Sequence, residues 1–94
     1  MHVSIYTDGG ARGNPGPAAI GVVIKDKAQH IIKEYGEYIG ETTNNVAEYS
    51  ALISALHSAH TLGATHVDCF LDSKLVVEQL NRKWKVKQPH IQTL

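Results

Sequence analysis

Apolar positions recur at three- and four-residue steps between Thr43 and Gly63. Leu52, Ala55, Ala59 and Leu62 form one row, and Val46, Tyr49, Ile53 and Leu56 fill its flank. That period predicts an amphipathic helix, the longest helical pattern in the chain. Thr43, Asn44 and Asn45 precede it, all types that cap helix starts, and Gly63 is its natural stop. Glu48 falls in the predicted first turn, in register with Leu52, Ala55, Ala59 and Leu62. The pattern therefore sets an acid on the row that faces the core. Asn45 with Glu48 three residues later resembles a capping box, although the motif proper begins with Ser or Thr. On the helix alone, a cap that favours the macrodipole accounts for Glu48 as well as a functional role does.

Period-two patterns flank the helix. Residues 2–7 alternate, with Val3 and Ile5 on one face and His2, Ser4 and Tyr6 on the other, which predicts a strand ending at Asp8. Asp8-Gly9-Gly10 and Asn14-Pro15-Gly16-Pro17 predict a loop rich in turn residues. Residues 18–24 are continuously apolar, as in a strand buried on both faces. A polar turn over residues 26–29 leads into residues 30–39, whose β-branched and aromatic residues mixed with charges suit an edge strand. The short connections make these three strands an antiparallel meander. After the helix, residues 66–71 predict a fourth strand, with Val67, Cys69 and Leu71 alternating. Asp72-Ser73 opens a second helix on which Val76, Leu80 and Trp84 share a face, and Pro89 stops or kinks it. Residues 90–94 are compatible with the start of another helix.

Topology turns these elements into an expectation about a site. If the first strand runs up, the meander makes the second run down and the third up. The long helix then begins at the top and descends, so the fourth strand runs up again. A right-handed crossover that lays it beside the first gives the order 3-2-1-4. Asp8 and Asp72 then end at the top edge of neighbouring parallel strands, and Glu48 starts its helix there. Open α/β sheets keep their sites at that edge.

Composition adds bounds. The chain has 94 residues, enough for one domain, and this length buries only about 60–65% of the unfolded surface. Nine basic and nine acidic residues give no net charge with histidine neutral, so no global basic character announces nucleic acid. The lone Cys69 excludes an internal disulfide and suits a reducing compartment, with burial in the apolar run as its expected state. No apolar run is long enough to span a membrane, and Met1 is followed at once by a strand pattern rather than a signal peptide. The expectation is a cytoplasmic chain with no membrane partner.

Each acid has an ordinary explanation by itself. Asp8 before Gly9 suits a turn, and Asp72 before Ser73 suits a helix start. Together they are harder to explain, because clustered like charges oppose their own ionisation. A divalent cation removes that penalty. Carboxylate oxygens suit hard ions, and Mg²⁺ binds through a few carboxylates, waters and phosphate oxygens. Two such ions about 3.5–4 Å apart can activate water and stabilise a phosphodiester leaving group. His57 and His60 are spaced for one helix face but bring no third ligand, so a solvated face fits them better.

The run Tyr6-Thr7-Asp8-Gly9-Gly10-Ala11, with Asn14-Pro15-Gly16, resembles the opening of type 1 ribonuclease H. Thr43-Asn44-Asn45 leading to Ala47-Glu48-Tyr49 is similar to that family's second signature. Asp72-Ser73 with Leu75-Val76-Val77 and Gln79 is similar to its third. Order and spacing agree from Tyr6 to about Trp84, and three motifs in order are far more specific than one acid. The resemblance implies an α/β ribonuclease H-like mixed sheet, with antiparallel strands 1–3, a parallel strand 4 and flanking helices, as one domain over residues 1–94. It implies hydrolysis of the RNA strand of an RNA–DNA hybrid, leaving 5′-phosphate and 3′-hydroxyl ends. It also implies two Mg²⁺ ions, with Mn²⁺ as an alternative, held by Asp8, Glu48 and Asp72, with Asp8 bridging. Gly9, Gly10, Asn14, Asn44, Asn45 and Lys74 match substrate-contacting positions. Amides of asparagine donate to and accept from 2′-hydroxyls and base edges, and the 2′-hydroxyl marks RNA.

The sequence departs from the family in two places. The family's fourth carboxylate lies beyond a fifth strand, on or before a last helix, and no such segment follows within residues 1–94. Lys74 stands where many relatives have Gln; a lysine can hold a phosphate but cannot accept a hydrogen bond. The long basic insertion that some members carry after the second helix is also missing. The densest basic run, Arg82-Lys83-Trp84-Lys85-Val86-Lys87, suits either a phosphate-tracking surface or a helix C-terminus. Trp84 continues the Val76 and Leu80 stripe and reads as core. Two alternatives to the enzyme stand: a non-catalytic hybrid-binding module, and the front part of a larger ribonuclease H-containing protein. Without the fifth strand and last helix, the fourth strand is a bare edge, and the expectation is low stability or a homodimer.

Overall fold

The computed structural model describes residues 1–72 of the chain. In order these form β1 (His2–Ala11), β2 (Gly16–Asp26), β3 (Ile31–Thr42), α1 (Asn44–Thr61) and β4 (His66–Leu71). The second helix expected from Ser73, the basic run over residues 82–87, Pro89 and residues 90–94 lie outside the described residues.

The sheet order is β3-β2-β1-β4. β1 pairs with β2 and β2 with β3 antiparallel, while β1 and β4 run parallel. This is the mixed sheet that the meander and crossover predict. The alternation of β1 survives in the burial: Val3 and Ile5 are fully buried against α1. β2 is buried along nearly its whole length, as its unbroken apolar run requires. β3 lies at one edge and leaves Ile31 and Ile32 exposed.

The strands run further than the hydrophobic pattern suggests. β1 does not end at Asp8: Asp8, Gly9, Gly10 and Ala11 continue the ladder opposite Gly21, Ile20, Ala19 and Ala18. The turn shrinks to residues 12–15, closed by the Arg12 N–H donating to the Pro17 carbonyl at 2.8 Å. Glycine in a strand often marks a close backbone approach, and Gly9 does so here. Asp8 is therefore not a turn residue, and that ordinary explanation for it falls away.

The helix differs in its buried row. Ala47, Ala51, Ala55 and Ala59 are all fully buried, with Ser58 beside them. Ala55 and Ala59 of the expected row are among them, but its two leucines, Leu52 and Leu62, are only partly buried and pack at the rim of the core. Four alanines at four-residue steps let the helix lie close on β1. Larger side chains are turned outward: Val46, Tyr49, Ile53 and Leu56 are exposed, Tyr49 by 70%. Glu48 leaves the core-facing row and is exposed. A hydroxyl cluster fixes the helix over the sheet, with Tyr35 Oη 2.6 Å from Ser54 Oγ and 2.9 Å from Ser58 Oγ.

Cys69 is also a correction: it is free and exposed rather than buried. β4 is paired on only one side among the described residues, and Val67 is its one residue packed against the hydrophobic core cluster. On the face away from the helix, Tyr6 and Phe70 stack at 5.1 Å, with Lys25 Nζ 4.9 Å from the Tyr6 ring.

Candidate active site

Three backbone arrangements bring the acids together. The first is the β1–β4 register. Thr7 is level with Leu71, and the Asp72 N–H donates to the Thr7 carbonyl at 2.9 Å. The parallel ladder thus carries Asp72 one step past the end of β4, alongside Asp8. The second is the cap of α1. Thr43 is the N-cap, and its hydroxyl accepts from the Val46 N–H at 3.2 Å. Glu48 lies beyond the first turn, so the capping box expected from Asn45 and Glu48 does not form. The helix has no use for Glu48 as a cap. The third is the approach of the helix to the sheet. A Cβ on Gly9 would overlap the Ala47 carbonyl and stand 2.7 Å from the Glu48 nitrogen. Only a residue without a side chain lets the start of α1 settle on β1 at this point.

The result is a cavity of about 250 Å³ lined by Thr7, Asp8, Gly9, Glu48, Leu71 and Asp72. A neighbouring cavity of about 270 Å³ is lined by Asn45, Glu48, Tyr49, Leu52 and Leu71. Glu48 and Leu71 belong to both, so the two form one groove along the helix start. Among the described residues, neither lining contains a Lys or Arg. A carboxylate-rich site without cationic side chains suits a hard divalent cation, whose oxygen preference matches this donor set.

The asparagines divide by position. Asn44 Oδ1 accepts from the Ala11 N–H at 2.7 Å, and the Asn44 N–H donates to Asn14 Oδ1 at 3.0 Å. These two bonds clasp the β1–β2 turn to the start of α1. Each side chain spends its oxygen on backbone and keeps its NH₂ group as a donor. Asn45 lies in the second cavity beside Glu48. Gly10 adjoins the same corner, 3.9 Å separating its ideal Cβ position from Asn44 Oδ1. Lys74 lies outside the described residues. The sequence pattern did not single out Thr7 and Leu71 for the lining, although both sit one residue before an acid. Nor did it foresee the asparagine clasp, which joins residues 30 or more apart in the chain.

A meander whose first strand runs parallel to a fourth, with carboxylates gathered where those two strands meet a helix start, defines the ribonuclease H-like class of α/β proteins. The chain belongs to the ribonuclease H family: residues 6–94 match the family model described as reverse transcriptase-like. It is 52% identical over 93 residues to the bifunctional protein Rv2228c of Mycobacterium tuberculosis, covering 97% of this chain and 25% of that protein. The solved N-terminal RNase H domain of Rv2228c superposes with a TM-score of 0.74 at 48% identity, over 99% of this chain and 72% of that one. Ribonuclease HI of Halobacterium salinarum is 45% identical over 89 residues, 95% of this chain and 45% of its own. LC11-RNase H1, solved in complex with an RNA/DNA hybrid, matches with a TM-score of 0.70 at 50% identity, over 97% of this chain and 69% of that one. The chain thus spans about a quarter to a half of the lengths of these curated relatives. Among the described residues, no helix is long and apolar enough to cross a membrane.

Proposed function

We propose that this domain hydrolyses the RNA strand of an RNA–DNA hybrid, leaving 5′-phosphate and 3′-hydroxyl ends, with Mg²⁺ as cofactor and Mn²⁺ as a substitute. One observation carries the reading: Asp8, Glu48 and Asp72, from three separate elements, line a single cavity. Their carboxylate oxygens would hold the divalent cations. When bound, such ions supply charge for the developing leaving group and a nucleophilic water at neutral pH. The chain's own groups do the rest. The NH₂ groups of Asn14 and Asn44, at the turn beside the acids, suit acceptors on the sugar edge of a minor groove. Asn45 reaches the same groove from the next helical position. The bare backbone at Gly10 leaves room for a sugar–phosphate strand near Asp8, while Gly9 serves the site by seating the start of α1. Lys74, two residues past Asp72, suits a phosphate. The occurrence of a hybrid in the LC11-RNase H1 complex supports this substrate.

The test is direct. The chain is incubated with an end-labelled RNA–DNA hybrid and Mg²⁺ or Mn²⁺, beside its Asp8→Asn variant. Cleavage of the RNA strand alone, giving ends that a ligase and a phosphatase identify, and absent from the variant, supports the proposal. Hybrid binding without cleavage at any metal concentration would instead make these 94 residues a binding module. The self-association expected from the edge position of β4 is a further proposal, to which the exposed Phe70 and Leu71 of that strand would contribute. Light scattering decides it, and a monomer at all concentrations would remove it.

A further inference from the structure

A second cluster of ligating side chains stands at the opposite end of the β1–β4 pair. The register sets His2 beside His66 and Ser4 beside Asp68. His2, His66 and Asp68 alternate onto one face, and the two imidazole rings lie 4.1 Å apart. His2 Nε2 is 2.7 Å from Asp68 Oδ2, and His66 Nε2 is 3.3 Å from Asp68 Oδ1. Both rings therefore present the same nitrogen to one carboxylate. The geometry points to a metal site here, made by His2, His66 and Asp68, for a borderline divalent transition ion of the zinc type.

The spacing carries this assignment. One ligand atom from each of the three residues falls within 4.8 Å of the others. Zinc bonds of about 2.0–2.1 Å in a tetrahedron separate ligand atoms by about 3.3 Å. No pair has to close by more than about 1.5 Å, within reach of side-chain rotation. Two imidazoles favour zinc, nickel or copper over Mg²⁺, which prefers oxygen donors. The ion would bind the Nε2 lone pairs of the two neutral rings in the tautomer that carries its proton on Nδ1. The backbone beneath is fixed, since the Thr65 and His66 N–H groups both donate to the Met1 carbonyl, at 2.8 and 3.3 Å. All three side chains are partly exposed, so an ion can enter and complete its shell with water. Six residues of strand, about 20 Å, separate His2 from Asp8, so this site is independent of the carboxylate cavity. Its effect would be to fasten β4 to β1 at the end where the crossover from α1 enters the sheet.

The experiment titrates zinc chloride into the chain with millimolar Mg²⁺ present to occupy the catalytic carboxylates. The melting temperature should rise by about 10 °C when zinc stands at about a hundred times its dissociation constant. The ¹⁵N resonances of the His2 and His66 rings should shift at one equivalent of zinc. His66→Ala should abolish the rise and Asp68→Asn reduce it, while the paired change His57→Ala and His60→Ala should leave it intact. Unmoved His2 and His66 resonances in the unaltered chain would overturn the assignment, whatever the variants do. A rise that survives His66→Ala, or that vanishes with the helix histidines, would overturn it too.

Discussion

Replacing Gly9 by alanine adds one methyl group at the point where α1 rests on β1. That carbon would overlap the Ala47 carbonyl and stand 2.7 Å from the Glu48 nitrogen. Both neighbours are backbone, so no side chain can turn aside. Ordinary contact begins near 3.5 Å, which requires the helix start to retreat by about 1 Å. Overpacking of this kind costs about 1–3 kcal/mol of stability. Glu48 belongs to the same turn as the displaced carbonyl and moves with it, away from Asp8 and Asp72. A misplacement of about 1 Å at a reacting centre lowers a rate by about 10²-fold. The neighbouring glycine is the control for stability, because a Cβ on Gly10 would meet only Asn44 Oδ1, at 3.9 Å. Urea unfolding of Gly9→Ala and Gly10→Ala, with hybrid cleavage at saturating Mg²⁺ for Gly9→Ala, measures both effects. The first variant should unfold at lower urea than the second and lose cleavage beyond what its unfolded fraction explains. Equal midpoints for the two variants would refute the idea that Gly9 sets the depth of the helix. Full cleavage by Gly9→Ala would refute its link to Glu48.

Three further outcomes follow from the same structure. Gln29 holds a left-handed backbone, φ 71°, in the β2–β3 turn, so Gln29→Gly should stabilise by about 0.5–1 kcal/mol in urea unfolding. Tyr35→Phe removes the hydroxyl bonded to Ser54 and to the buried Ser58 and should cost about 1–2 kcal/mol; an unchanged urea midpoint would argue against the cluster. The His30 N–H donates to Asp26 at 2.9 Å, and this bond with the nearby imidazole holds the Asp26 carboxyl below its ordinary value of 3.8. A carboxyl lowered by folding contributes stability that is complete above its unfolded value and disappears as pH falls through its folded one. Asp26→Asn should therefore flatten the fall of the urea midpoint between about pH 5 and about pH 2, and an identical slope would contradict the turn's role.

The strand order was legible because two constraints leave little choice. Short polar turns force the meander, and one helix between strands 3 and 4 forces a crossover. The helix was legible from its period, and Ala55 and Ala59 of its buried row with it, but not Ala47 and Ala51. Hydrophobic weight favours Leu52 and Leu62, whereas a helix lying close on a sheet selects the small Ala47, Ala51, Ala55 and Ala59. A row built from alanine is nearly silent in a pattern of hydrophobicity. That shift of one position also takes Glu48 from the core side to the rim. The extension of β1 through Gly9 and Gly10 was hidden for a related reason. Asp-Gly-Gly suggests a turn, and only the pairing with β2 makes it a strand. Cys69 looked buried because its run is apolar, yet burial on an outer strand depends on which element lies over it. The His2 and His66 pair was visible as two residues and invisible as a cluster, since their proximity depends on the parallel register of β1 and β4.

The site is held mainly by backbone rather than by side-chain packing. Asp72 is fixed by its own N–H on Thr7, and Glu48 by the seat of α1 on the bare backbone of Gly9. The turn is fixed by two bonds, from the Ala11 and Asn44 N–H groups to asparagine oxygens. The seat of α1 couples Glu48, proposed to meet the cation, with Gly9, and the asparagine bonds join the strand that carries Asp8 to residues proposed to meet the hybrid. Asn44, for example, anchors the strand that carries Asp8 while its NH₂ group stays free of that duty. Such an arrangement makes substrate contact and cation geometry depend on the same few bonds. Loss of the Asn44 oxygen should therefore disturb both at once, whereas a contact serving only the substrate would weaken binding alone.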